Sequence, residues 1–170
     1  MNRNFAVTVA RVNARWQVSR FKDDFSSYST AVQAVRSLRN EEAAFALLCV
    51  EDDYFVIVRP TPGGVRLLLS DATAAIEDSF AAEILDEMDV EIPDISPDEV
   101  SNGEVEPWAE GDFEILADLG VSEQVMAIIC GETDWWASEQ LQNLTEELGC
   151  EAEFDATIGL DDANPNYGDI

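Results

Sequence analysis

Carboxylates are the only abundant groups in this sequence with acid–base or metal-binding chemistry: 36 of its 170 residues are Asp or Glu, and none is His. Adjacent pairs such as Asp52 with Asp53, or Glu146 with Glu147, have the residue type that a general acid and base require. At this density of acids such neighbours arise by chance, and no nucleophile motif accompanies them. Without histidine, imidazole triads and His-ligated zinc are impossible. Asp162, Asn164 and Asn166, followed by Gly168, follow the alternate-residue oxygen pattern that opens a calcium-binding EF-hand loop. The pattern then fails, because Tyr167 stands where the sharp-turn glycine belongs and the closing glutamate would fall beyond Ile170. Gly63 and Gly64 lie between two strand-like runs with no lysine after them, so they read as a hairpin turn and not as a phosphate-cradling loop. Cys49, Cys130 and Cys150 show no CxxC spacing and cannot all pair; Cys49 reads as a small core residue and the other two as helix-end residues. The chain is therefore read as not an enzyme, with no catalytic residue, no metal site and no cofactor.

What remains is charge and aromatic surface. All nine Lys and Arg lie in the first 66 residues, where seven acids offset them; the other 29 acids follow Arg66 without one base, and the whole carries −27. A chain this poor in cations is not expected to bind nucleic acid directly, since that requires clustered Lys and Arg. Twenty-nine like charges repel one another, and a basic partner would relieve that repulsion. Trp135 and Trp136 start an acidic helix, as core residues or as interface anchors. No apolar run approaches twenty residues and the first 21 residues do not form a signal sequence, so no membrane association and a cytoplasmic location are expected.

The elements that must carry these groups follow from periodicity. Phe5 to Val12 and Trp16 to Phe21 alternate as a hairpin around Asn13 to Arg15. Tyr28, Val32, Val35 and Leu38 predict a helix to about Arg39. Ala44–Val50, Tyr54–Arg59 and Val65–Leu69 predict three further strands, and Ser70 and Asp71 cap a helix with Ile76, Phe80, Ile84, Leu85 and Met88 on its apolar face. This predicts an α+β fold: a small five-stranded antiparallel sheet with two helices, in the order β-β-α-β-β-β-α. The order resembles that of longin and roadblock-type domains, which are protein-docking modules. Four segments are expected: the sheet domain over 1–88, an acidic proline-containing linker over 89–111, a three-helix unit over 112–150 and a mobile acidic tail over 151–170. The three helices are Phe113 to Leu119, Glu123 to Cys130, and one from Thr133 and Asp134 with Ala137, Leu141, Leu144 and Leu148 on one stripe.

Val65-Arg66-Leu67-Leu68-Leu69-Ser70-Asp71-Ala72, then Gly111-Asp112-Phe113, Leu116-Ala117-Asp118-Leu119-Gly120 and Leu148-Gly149-Cys150, in that order, resemble the actinobacterial tRNA adenosine deaminase-associated proteins over roughly residues 5 to 150. The resemblance implies association with the deaminase that converts adenosine to inosine in the tRNA anticodon loop. The chain is not that deaminase, because it has neither the His-x-Glu nor the Pro-Cys-x-x-Cys segment of such zinc enzymes. The expected function is that of a non-enzymatic acidic accessory protein binding a basic partner, the tRNA adenosine deaminase first among them. Asp78, Glu83, Glu87, Asp112, Glu114, Asp118 and Glu123 would supply charge, and Trp135 and Trp136 would anchor. The alternatives are a nucleic-acid mimic that blocks another basic protein and, behind it, a sensor of cations or small molecules.

Overall fold

The alternation of large apolar residues with small ones builds strands here, and the computed structural model describes residues 4–39 and 42–159. β1 (Phe5–Val12) and β2 (Arg15–Arg20) are joined by Asn13 and Ala14, both in the left-handed region at φ 54° and 65°. Two such residues form the short turn whose twist matches that of the strands it joins. After α1 (Ser29–Arg36) come β3 (Ala44–Val50), β4 (Tyr54–Thr61) and β5 (Gly64–Leu69), then α2 (Ser79–Glu87), α3 (Pro97–Ser101) and the two-residue β6 (Glu110–Gly111). α4 (Glu123–Gly131), α5 (Ala137–Leu148) and α6 (Glu151–Ile158) complete the described chain. The strands form one antiparallel sheet in the order β2-β1-β3-β4-β5-β6. The fold is α+β as predicted, with six strands where five were expected and six helices among the described residues.

Because successive side chains of a strand point to opposite faces, the sheet carries two cores. Ala6, Ala46, Leu48, Val56, Val58 and Leu69 face α1 and α2, where Ala31, Val35, Phe80 and Ile84 meet them. Phe5, Val7, Phe45, Leu47, Ile57 and Leu68 face the other way, against Met126, Ile129, Leu141, Leu144 and Phe154 of α4, α5 and α6. The C-terminal helices are thus the third layer of a helix–sheet–helix sandwich. Their thin apolar stripe is completed by the sheet, each fully buried Leu or Phe contributing roughly 1.5–3 kcal/mol. The stripe predicted for α5 is the buried one: Ala137, Leu141, Leu144 and Leu148 are all at most 7% exposed.

Besides α3 and β6, which form within the stretch expected as a linker, three elements differ from expectation. The helix expected after Ser70 is split: Asp71 caps a 3-10 turn over Ala72–Ile76, and Asp78 starts α2 by accepting from the Phe80 N–H. Each acid draws the nearest backbone N–H groups to itself and sets its own start point. Phe113 to Leu119 forms only a 3-10 turn over Ala117–Leu119. Arg66 takes the Glu114 carbonyl and Arg59 the Ile115 carbonyl, which a continuous helix would need for Asp118 and Leu119. Residues 151–158, expected in the tail, form α6, because Phe154 and Ile158 stand four apart and both reach the core; Phe154 meets the Phe5 ring edge-on at 5.8 Å between centroids. The oxygen-rich stretch from Asp162 to Gly168 lies outside the described residues.

Two polar contacts fix the C-terminal layer to the sheet. Glu51 and Asp52, at φ 56° and 58°, turn β3 into β4, and the buried Asp52 accepts the Ser138 N–H at 2.8 Å on its carboxylate and the Ala137 N–H at 3.1 Å on its carbonyl. The hairpin turn of the sheet is thereby the N-terminal cap of α5, from 86 residues away. At the other edge, Gly111 pairs with Leu68 at φ 128°, and a Cβ there would lie 2.5 Å from the Leu67 carbonyl oxygen and 2.8 Å from the Leu68 Cα. Only glycine lets β6 approach β5 this closely.

Gly111→Ala is expected to destabilise the fold by about 2–3 kcal/mol, since both clashing atoms are backbone. Asp52→Ala is expected to cost about 1–2 kcal/mol and Asp52→Asn less than half of that, because Asn tolerates the left-handed region and keeps an oxygen for the Ser138 N–H. Urea unfolding of the three variants beside the parent chain measures both differences.

Candidate partner-binding surface

The acids expected to supply charge are divided between the two helix layers, and most already hold internal partners. On the α1–α2 side, Asp78 accepts from the Tyr54 hydroxyl at 2.7 Å besides capping α2, and Glu83 accepts the Tyr28 N–H at 2.9 Å, tying the start of α1 to α2. Burial and the Asp78 contact push the Tyr54 phenol far up, so it stays a donor. Glu87 is exposed, with the Tyr28 hydroxyl beside it.

On the other side, alternation carries Arg59 and Arg66, cross-strand neighbours on β4 and β5, onto the face that Ile57 and Leu68 share. Both reach into the segment after β6. Arg59 makes a two-pronged ion pair with Asp118 at 2.7 and 2.9 Å, and Arg66 pairs with Asp112 at 2.5 Å. The guanidinium beside Asp118 holds its carboxyl below the ordinary carboxylate value. Asp112 also accepts the Glu114 N–H at 2.9 Å. Asp112 and Asp118 are therefore clasps of the fold, while the side chains of Glu114 and Glu123 are exposed.

Three of the six large apolar residues exposed among the described residues lie in the C-terminal layer, the others being Leu38, Ile92 and Trp108. Ile128 on α4 is 66% exposed, and Trp135 and Trp136, in the connection to α5, are 41% and 48% exposed. That connection is held from inside: the Gln140 amide donates to the carbonyls of Ile129, Cys130 and Glu132, and Glu139 accepts the Trp136 N–H at 2.9 Å. The indoles are thus presented on a fixed stretch of chain and were not drawn into the core, where the shorter Ala137 takes the helix's first buried position. Ile128 is the exposed residue that periodicity alone passes over, because the apolar run Val125 to Ile129 reads as uniformly buried.

Among the described residues no group of three or more Asp, Glu or Cys is placed to hold a metal ion. Cys49, Cys130 and Cys150 are buried and none is in a disulfide, and burial pushes the Cys130 and Cys150 thiols up to about 12, away from nucleophilic thiolate. No described helix is long and apolar enough to cross a membrane.

Over residues 4–151 the chain matches the model of a family described as Rv3753c-like tRNA adenosine deaminase-associated protein. It is 43% identical over 155 residues to Protein Rv3753c of Mycobacterium tuberculosis (strain ATCC 25618 / H37Rv), an alignment that spans 91% of this chain and 87% of that protein. No solved structure matches, so the similarity to longin and roadblock-type domains is one of element order alone.

The acidic end of the sheet has a titration of its own. Asp53, Tyr54, Asp71, Glu77 and Asp78 line a cavity of about 540 Å³. Burial raises the Asp71 carboxyl above 3.8, against the lowering effect of the Thr73 bonds and with added repulsion from Asp53. The folded chain thus binds this proton more tightly than the unfolded chain. Its contribution to stability grows as pH falls through the raised value and levels off below 3.8. Asp118, held low by Arg59, works in the opposite sense and only at more acidic pH. Asp71→Asn keeps the cap without the charge, so the thermal midpoint is expected to rise less between about pH 7 and pH 4.5 than in the parent chain. Thermal melts of both across that range measure it, and equal slopes would assign the titration elsewhere.

Proposed function

The chain belongs to the Rv3753c-like tRNA adenosine deaminase-associated protein family, and from that premise we propose that it is a non-enzymatic accessory protein that docks on a basic partner, the tRNA adenosine deaminase of its own cell. The observation that carries this reading is the fixed pair of exposed indoles, Trp135 and Trp136, in a layer built wholly from the part of the chain that has no Lys or Arg. Exposed aromatic residues ringed by charge are what interfaces use as anchors, and the surrounding acids supply complementarity to a basic surface. An enzyme that handles tRNA carries such a surface.

Contact falls to the groups with free surface. Trp135, Trp136, Glu114 and Glu123 are exposed in the C-terminal layer, and Glu87 is exposed on the opposite side of the sheet. Asp78, Glu83, Asp112 and Asp118 contribute field through their charge while their oxygens serve α1, α2 and the arginine pair. Docking at the first four would leave the α1–α2 face open.

Size-exclusion chromatography of the chain mixed with the deaminase, at about 50 and 300 mM salt, is the test. Co-elution is expected at both, weaker at the higher salt, and Trp135→Ala with Trp136→Ala together should abolish it at the higher salt, where packed contacts carry more of the binding. Separate elution at both salts would overturn the choice of partner. Adding tRNA distinguishes the accessory reading, in which a ternary complex forms, from nucleic-acid mimicry, in which tRNA displaces the chain.

A further inference from the structure

Residues 139, 142, 143 and 146 recur at helical spacing on the side of α5 opposite Leu141, Leu144 and Leu148, and Trp135 stands in the connection just before that helix. With Glu151 at the start of α6 they line a groove of about 250 Å³. One wall is the Trp135 indole, 41% exposed. The rest is carboxylate and amide: Glu139, Gln142, Asn143, Glu146 and Glu151, with no cation in the lining. Resting on the reading that the chain docks a basic partner, we propose that this groove is the seat of an arginine side chain on an extended segment of that partner, with its guanidinium stacked on Trp135 and its N–H groups on Glu146 and Glu151.

Complementarity selects that occupant. Glu146 and Asp155 crowd Glu151, whose carboxyl is raised above its ordinary value by partial burial and by their charge, so a cation between them relieves repulsion already present. Glu139 spends one oxygen on the Trp136 N–H, and the Gln142 side-chain amide donates to Asp155 at 3.3 Å; the second Glu139 oxygen and the Gln142 side-chain Oε1 remain as acceptors. An indole face beside free carboxylates suits a planar guanidinium, which stacks and donates in its own plane at once, better than the point charge of an ammonium.

The probe is an acetylated, amidated peptide of alternating arginine and glycine, titrated into the full chain at about 50 mM salt by calorimetry and by indole fluorescence. Trp135→Ala, and Glu146→Gln with Glu151→Gln, are each expected to weaken binding about tenfold, Trp135→Phe to retain most of it, and a lysine–glycine peptide to bind several-fold less tightly. Glu104→Gln with Glu106→Gln removes the same charge from the exposed stretch before β6 and should cost less than about twofold. Equal losses from the two glutamine pairs, or no loss from Trp135→Ala in a variant with the parent's circular dichroism and thermal midpoint, would overturn the proposal. Its failure is separable from that of the reading beneath it. Peptide binding with the expected pattern but no co-elution of the deaminase leaves the groove and removes the partner; co-elution undisturbed by the groove variants leaves the partner and removes the groove.

Discussion

Two guanidinium groups, side by side on β4 and β5, decide how the acidic part of this chain meets the rest. Arg59 and Arg66 stand where the alternation of their strands would otherwise place core residues, on the face that α4, α5 and α6 cover. They take two carboxylates and two carbonyls from the stretch between β6 and α4. A pair of cations on a rigid sheet thus gives a strongly charged segment one place to lie. The Asp52 cap does the reverse at the far end of β4, where a carboxylate of the sheet receives the start of α5. Between these two points the apolar stripe of α5 has a fixed line across Phe45, Leu47 and Ile57, so the C-terminal helices belong to the sheet's second core.

This arrangement leaves the charge problem only partly solved. Two ion pairs engage Asp112 and Asp118, and the other acids after Arg66 have no cation from their own part of the chain. The fold answers by using carboxylates as acceptors for backbone groups, as Asp71, Asp78, Glu83 and Glu139 do. Each such bond satisfies an N–H that the helix geometry leaves open, and none removes charge. The net field therefore survives folding and remains available to a partner.

Much of this was legible in the residues. Alternation marked the five long strands, and the Leu141, Leu144, Leu148 stripe marked the buried side of α5. What could not be read was carried by contacts distant in sequence. Nothing local says that Asp52 will cap a helix beginning 85 residues later, or that Arg59 will occupy the Ile115 carbonyl and leave only a 3-10 turn where a helix was expected. β6 has two residues and no periodicity at all; its one signal is a glycine followed by an acid. α6 was within reach, because Phe154 and Ile158 have helical spacing, but acidic composition weighed against it. Among the expected contact residues, Trp135 and Trp136 are exposed while Asp112 and Asp118 are engaged, a distinction that depends on where the arginines lie.

The acidic surface and the use to which the shielded groups are put are then two results of one composition. A site for acid–base chemistry needs groups with opposed environments, one shielded and one solvated, brought to a common point. Here Asp52 and Asp71 each spend a carboxylate oxygen on capping, and burial holds the Cys130 and Cys150 thiols protonated. Glu139, Glu146, Glu151 and the indole of Trp135, which keep bonding capacity, are gathered at one groove and share a preference for a cation. A chain that spends carboxylates on capping its own helices, and that has no Lys or Arg after Arg66, keeps a surface on which a cation finds acceptors.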